Sequence, residues 1–182
     1  MKLWEGLGYY SRARNLQKAA QEIVKLGGFP DTYESLLALP GIGDYTASAI
    51  AAAAFGRPEP AVDGNVLRVV TRLTDCHDDI LDAGTKRSIR AALSAVMPES
   101  GADVRIFNQA MMELGATLCG PNTAPQCGAC PVRSLCLGLQ RGTAAELPVK
   151  KPKKGRRMEE KTVFLLIRDG KIALRKRPKT GL

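Results

Sequence analysis

Four of the five cysteines crowd into CGPNTAPQCGACPVRSLC, where Cys119, Cys127, Cys130 and Cys136 are spaced C-x7-C-x2-C-x5-C. Thiolates are soft ligands, and four of them on so short a segment can wrap one compact metal centre, either a four-iron four-sulfur cluster or a tetrahedral zinc. In a cytosolic chain such a cluster of cysteines points to metal before disulfides. The unequal loops lean towards iron–sulfur, because many zinc sites use short paired knuckles, but spacing alone leaves both metals open. Cys76 stands by itself and reads as an ordinary core cysteine.

Two further stretches carry chemistry. In LPGIGDYTASAI, residues 39–50, Gly41 and Gly43 flank one isoleucine before a run of small residues. The pattern is neither a dinucleotide fingerprint nor a P-loop, because the third glycine and the Lys-Ser/Thr pair are absent. What remains is helix, glycine turn, helix. Such a turn can present backbone N–H groups, and the next helix its positive end, to an anion such as a DNA phosphate, independently of base sequence. The plain alternative is an inter-helix turn. In AVDGNVLRVVTRL, Asp63 and Asn65 sit at the mouth of another helix. Asp63 reads either as a helix-entry residue or as a carboxylate able to stabilise a cationic sugar or activate water.

The elements that must position these residues are mainly helical. Ser11 is placed to cap a helix whose apolar positions Leu16, Ala19, Ala20, Ile23 and Val24 share one face, ending at Gly27-Gly28. Asp31 and Glu34 resemble a capping box for a short helix through Leu39. Asp44 can cap the next helix, which runs to about Phe55 and is alanine-rich enough to be buried. Further helices are expected near 65–74, 85–97 and 103–118. The segment ELPVKKPKKGRRMEE has six basic residues, two prolines and no apolar period, and reads as a linker over 142–160. After it, TVFLLIRDGKIALRKR reads as two strands joined by Asp169-Gly170. A lone hairpin is marginal in water, so this end reads as the opening of a β-containing domain.

The 182 residues carry 27 Lys and Arg against 18 Asp and Glu, a formal charge of +9. That surplus suits a polyanion, with nucleic acid ahead of an anionic membrane. Residues 1–10 lack the basic start and apolar run of a signal peptide, and no apolar stretch is long enough to span a bilayer. The chain reads as intracellular.

Taken in order, LPGIGDYTASAI, AVDGNVLRV and the cysteine cluster resemble the helix-hairpin-helix glycosylase superfamily that carries an iron–sulfur cluster. Within it, GLGYYSRARNL at 6–16 and the linker leading into a β-hairpin are similar to the MutY family of adenine DNA glycosylases. The resemblance covers essentially the whole chain. It implies a mainly α fold divided into a helical glycosylase region over 1–118 with its helix-hairpin-helix at 39–55, a cluster region over 119–141, the linker, and the start of a Nudix-like domain over 161–182.

The implied activity is base-excision repair of adenine mispaired with 8-oxoguanine or guanine in double-stranded DNA, by a monomer in the bacterial cytosol or nucleoid. The target adenine is flipped out of the stack, an acid protonates it, and an aspartate stabilises the oxocarbenium-like sugar. The resemblance maps that aspartate to Asp63 and the asparagine that orients it to Asn65. Tyr45 stands where endonuclease III-like relatives carry the lysine that forms a Schiff base and cuts the strand; a phenol cannot form that imine, so the resemblance implies a monofunctional enzyme in which Tyr45 lies beside the reacting sugar and supports the transition state. Tyr9 matches a wedge that enters the duplex. Gly41 and Gly43 fall to DNA contact, and Cys119, Cys127, Cys130 and Cys136 to one four-iron cluster, which braces a DNA-contacting region and is not the hydrolytic centre. The first cysteine loop has seven residues where the family usually has six, and no basic side chain. The resemblance also places the general-acid glutamate upstream of LWEGLGYY, in a segment these residues do not include, and Glu5 lies in the wrong motif to replace it. Two other readings are a non-catalytic iron–sulfur DNA-binding module and an endonuclease III-like enzyme acting on oxidised pyrimidines.

Overall fold

The computed structural model describes residues 2–99, 101–121, 125–152, 158–160 and 162–174. These fall into two compact units, residues 1–151 and 152–182. The first is helical: α1 (Tyr10–Lys25), α2 (Tyr33–Leu37), α3 (Asp44–Phe55), α4 (Gly64–Thr74), α5 (Ala83–Val96), α6 (Ala102–Thr117) and α7 (Leu137–Gln140). Short turns of 3-10 helix lie at Lys2–Trp4, Cys127–Ala129 and Arg133–Leu135.

Two apolar cores hold this unit. Ala19, Leu36, Leu39, Ala47 and Ala51 join α1, α2 and α3, with Ile23, Ile42 and Ile50 packed around them. Val66, Leu67, Val70, Ile89 and Leu93 join α4 to α5, and Phe107, Met111 and Met112 close that cluster from α6. The alanine stripe lets α3 be buried, since Ala47, Ala51 and Ala52 are at most 1% exposed. The apolar face of α1 is only partly covered: Ala19 is buried, whereas Leu16 and Val24 stand 68% and 80% exposed.

The helix entries differ in detail from the expected caps. Helix α1 begins one residue before Ser11, behind Tyr9 in the left-handed conformation at φ 45°. Thr32, not Asp31, caps α2, with Ser35 as its reciprocal partner, because threonine and serine hydroxyls can each accept the other's backbone N–H. Gly43 takes the N-cap position of α3, which makes Asp44 its first helical residue. Asp82 caps α5 through Gly84 and Thr85 N–H groups.

The start of the basic segment is packed. Leu147 is buried, its carbonyl accepts from Arg72 Nε at 2.9 Å, and Val149 O accepts from Ile80 N at 3.1 Å. The second unit contains an antiparallel hairpin, β1 (Ile167–Arg168) and β2 (Lys171–Ile172), with Ile167 opposite Ile172. Asp169 at φ 50° and Gly170 at φ 70° form its turn, as two successive left-handed residues do in the favoured hairpin geometry. Residues 153–157, 161 and 175–182 lie outside the described residues.

Candidate active site and cysteine centre

Helix α4 is the element on which the site is built. The strand of chain entering it is pinned by buried Asn108 on α6, whose Oδ1 accepts from Ala61 N at 2.8 Å and whose Nδ2 donates to Glu59 O at 3.1 Å. Asp63 then caps the helix: one carboxylate oxygen accepts from Val66 N at 2.8 Å. Its other oxygen accepts from Asn65 Nδ2 at 3.1 Å. Asn65 Oδ1 in turn accepts from Arg68 Nη2 at 2.8 Å, and Arg68 also donates to Gly115 O and to Cys119 O, both at 2.7 Å. Asp63 is therefore fixed by a polar chain that ends on the backbone of the first clustered cysteine. Burial, followed by the neighbouring Arg72, pushes the Arg68 guanidinium down from its ordinary value.

Asp63 lines an open cleft of about 910 Å³ that it shares with Tyr33, Gly43, Asp44 and Tyr45. Tyr45 is 42% exposed, and its hydroxyl lies 3.5 Å from Met112 Sδ. At the head of α3, Tyr33 Oη donates to Asp44 Oδ1 at 2.8 Å, which raises the phenol's pKa. Arg90 on α5 stacks on the Tyr33 ring at 4.5 Å from its centroid and donates to Ser48 Oγ and Glu59 Oε2. This guanidinium ties α5 to both helices of the glycine turn. Burial raises the Glu59 carboxyl against the opposing pull of Arg90.

Gly41, at φ 80°, packs directly on α1: a Cβ there would fall 2.5 Å from Asn15 Cβ. Its first duty is thus the close approach of the turn to α1. Tyr9 is 76% exposed, with the Arg12 guanidinium over its ring at 5.0 Å, and it is not part of the cleft lining.

Cys119, Cys127, Cys130 and Cys136 line one largely apolar hollow together with Val69, Leu114, Leu118 and Leu139. All four are free thiols. Among the described residues, no three His, Cys, Asp or Glu side chains gather closely enough to hold a single ion. Four thiols around a common hollow could serve either a four-iron cluster or a tetrahedral metal ion. Arg72 Nη1 donates to Cys119 Sγ at 3.2 Å, and Cys136 Sγ donates to the Arg72 carbonyl at 3.3 Å. Burial, and then the crowding of Cys136, Cys119 and Cys130, raises the Cys127 thiol. Two buried guanidinium groups beside four thiols suit an anionic tetrathiolate centre, since ligating cysteines are deprotonated.

Arg68, Arg72, Asn108 and Gly115 are the site residues that sequence reasoning missed. Gly115 lets α6 meet the head of α4, because a Cβ there would fall 2.6 Å from Asn65 Cβ. The one available signal was four-residue spacing of two arginines on a helix otherwise rich in valine and leucine.

This fold is that of a helix-hairpin-helix repair protein. The chain belongs to the HhH-GPD superfamily of base excision DNA repair proteins, whose model matches residues 1–98. It is 47% identical over 154 residues to the adenine DNA glycosylase of Mus musculus, covering 81% of this chain and 29% of the relative. It is 48% identical over 144 residues to that of Homo sapiens, covering 77% and 26%. The adenine DNA glycosylase of Buchnera aphidicola subsp. Baizongia pistaciae is 32% identical over 185 residues, covering 100% of this chain and 51% of the relative. The chain thus spans between about a quarter and a half of the length of these curated relatives. Among solved structures, a non-covalent endonuclease III–DNA complex matches with a TM-score of 0.60 at 32% identity, covering 75% of this chain and 61% of that one. A thermostable thymine-DNA glycosylase matches with a TM-score of 0.58 at 28% identity, covering 71% and 59%. Among the described residues, no helix is long and apolar enough to cross a membrane.

Proposed function

We propose that this chain supplies the sugar-facing half of a monofunctional adenine DNA glycosylase acting on adenine opposite 8-oxoguanine or guanine in double-stranded DNA. The observation that carries the reading is the cleft in which capped, hydrogen-bonded Asp63 and the half-exposed phenol of Tyr45 meet. The adenine must leave the stack for its glycosidic bond to be reached. Protonation of the base by a general acid lets the C–N electron pair leave with adenine. Positive charge then develops on the sugar, and the Asp63 carboxylate stabilises it while Asn65 holds that carboxylate in place. Tyr45 has no amine with which to trap the sugar as an imine, so water completes the reaction and the strand stays intact.

Gly41 and Gly43 approach the phosphodiester backbone, and Tyr9 enters the duplex as the wedge. Cys119, Cys127, Cys130 and Cys136 would hold one four-iron cluster, which would brace the segment they span. We place the protein in the cytosol or nucleoid, as a monomer.

The test joins the upstream segment of an adenine DNA glycosylase to this chain and incubates it with a duplex holding one A:8-oxoguanine pair. Adenine release without strand breakage is the expected result. Release that survives Asp63→Asn unchanged would remove Asp63 from the reaction.

A further inference from the structure

The cleft that holds Asp63 has a cationic wall that the reaction does not use. Lys86 and Arg87 come from the first turns of α5, and Lys150 from the chain far downstream, yet all three line the same cleft as Tyr45 and Asp63. All are exposed, and none forms an ion pair among the described residues. Arg90, a fourth cation of the cleft, is different: Glu59, Ser48 and the Tyr33 ring already engage it.

Lys150 is held there by the packing of its own segment. Leu147 is 2% exposed and bonded to Arg72, and Val149 O accepts from Ile80 N, so the chain is fixed on both sides of Pro148. The next residue, Lys151, lines a separate hollow with Asp78, Asp79 and Asp82 and helps to lower the Asp82 carboxyl. Neighbouring side chains thus serve different surfaces: Lys151 faces the acidic patch, while Lys150 lines the cleft. Arg87 also lowers Asp82, but the Asp82 carboxylate is occupied by Gly84 and Thr85 N–H groups as the α5 cap. Three uncommitted cations in one cleft concentrate a field that attracts a polyanion.

We propose that Lys86, Arg87 and Lys150 form a second phosphate-binding wall of the Asp63 cleft, gripping the DNA backbone with side-chain charge where the glycine turn uses backbone N–H groups. The inference rests on the DNA-glycosylase reading and adds to it: the root of the basic segment is part of the DNA-binding surface. Contacts of this kind orient the duplex without reading its sequence.

Each phosphate neutralised releases counterions, with a slope of about 0.9 in log K against log salt per contact on B-form DNA. The experiment measures binding of residues 1–182 to a fluorescein-labelled duplex with one A:8-oxoguanine pair, between about 50 and 200 mM salt. For Lys86→Gln/Arg87→Gln/Lys150→Gln, the expected slope is shallower by about 2–3, as three lost contacts require. Lys86→Arg/Arg87→Lys/Lys150→Arg should keep the slope, and Lys18→Gln/Lys25→Gln on α1 should keep it too. Circular dichroism of the triple Gln variant checks that the helices persist. Binding with a slope unchanged in that variant, or reduced equally by the α1 pair, overturns this proposal and leaves the glycosylase reading standing. Absence of any duplex binding by the unaltered chain overturns both.

Discussion

Asp63 caps α4, and in the proposed reaction the same carboxylate also faces the sugar; substitution can separate the two. As the N-cap of α4 it accepts from Val66 N, a duty that asparagine performs about as well as aspartate. In the proposed role, as the charge that meets a cationic sugar, it has no neutral substitute. Asp63→Asn should therefore leave the urea midpoint nearly unchanged while lowering adenine release by at least about 100-fold. Asp63→Ala should lose the same activity and also about 1 kcal/mol of stability, read from the same denaturation curve. The sequence made Asp63 legible because a short acidic side chain before Gly-Asn and an apolar run is both a cap and a candidate base. It made Arg68 illegible. An arginine on a helix reads as solvated, and only the tertiary fold shows that three acceptors, Asn65, Gly115 O and Cys119 O, converge on its guanidinium.

At the scale of elements, α4 is the spine: it packs on α5, α6 and α7, and it contributes to both the Asp63 cleft and the cysteine hollow. Its contact with α6 has no spare room at Gly115. Gly115→Ala should force the helices apart and cost about 1–3 kcal/mol, despite alanine's better helix propensity, as a denaturant titration would show. Helix existence was readable from apolar spacing and from the Ala-rich run of α3, whereas caps were readable only where one residue type had no rival nearby. Asp31 and Thr32 are adjacent acceptors, and the hydroxyl pair with Ser35 prevailed. The start of α1 escaped pattern reading because Tyr9 takes a left-handed φ that non-glycine residues rarely adopt, which moves the entry ahead of Ser11. The packed start of the basic segment escaped it too, since Leu147 is one apolar residue among charges and its backbone partner Arg72 is 75 positions away.

Across the whole molecule, the fold class was legible and the wiring between its distant parts was not. Asp75, the left-handed C-cap of α4, is a case in point: it accepts from Thr143, from Arg141 at 2.8 Å and from His77, joining the end of α4 to the segment beyond the last cysteine. Those hydrogen bonds, Thr143 first, hold its carboxyl at about 2 against an ordinary 3.8. A depressed folded-state value stabilises the protein above the unfolded value, and that stability is lost as pH falls from 3.8 towards about 2. Asp75→Asn should flatten the stability-versus-pH curve in that interval, and denaturation midpoints from pH 5 downward, about one unit above the unfolded value, would show it. The cysteine centre makes a further claim on the whole unit: chain purified without oxygen should carry about four irons and no stoichiometric zinc by elemental analysis. The most direct test of the account remains the fate of a duplex with one adenine opposite 8-oxoguanine, treated with this chain joined to the upstream segment, with base release and strand breakage measured separately. The account predicts free adenine and an unbroken strand until alkali is added; strand breakage by the protein itself, or adenine release undiminished in Asp63→Asn, would contradict it.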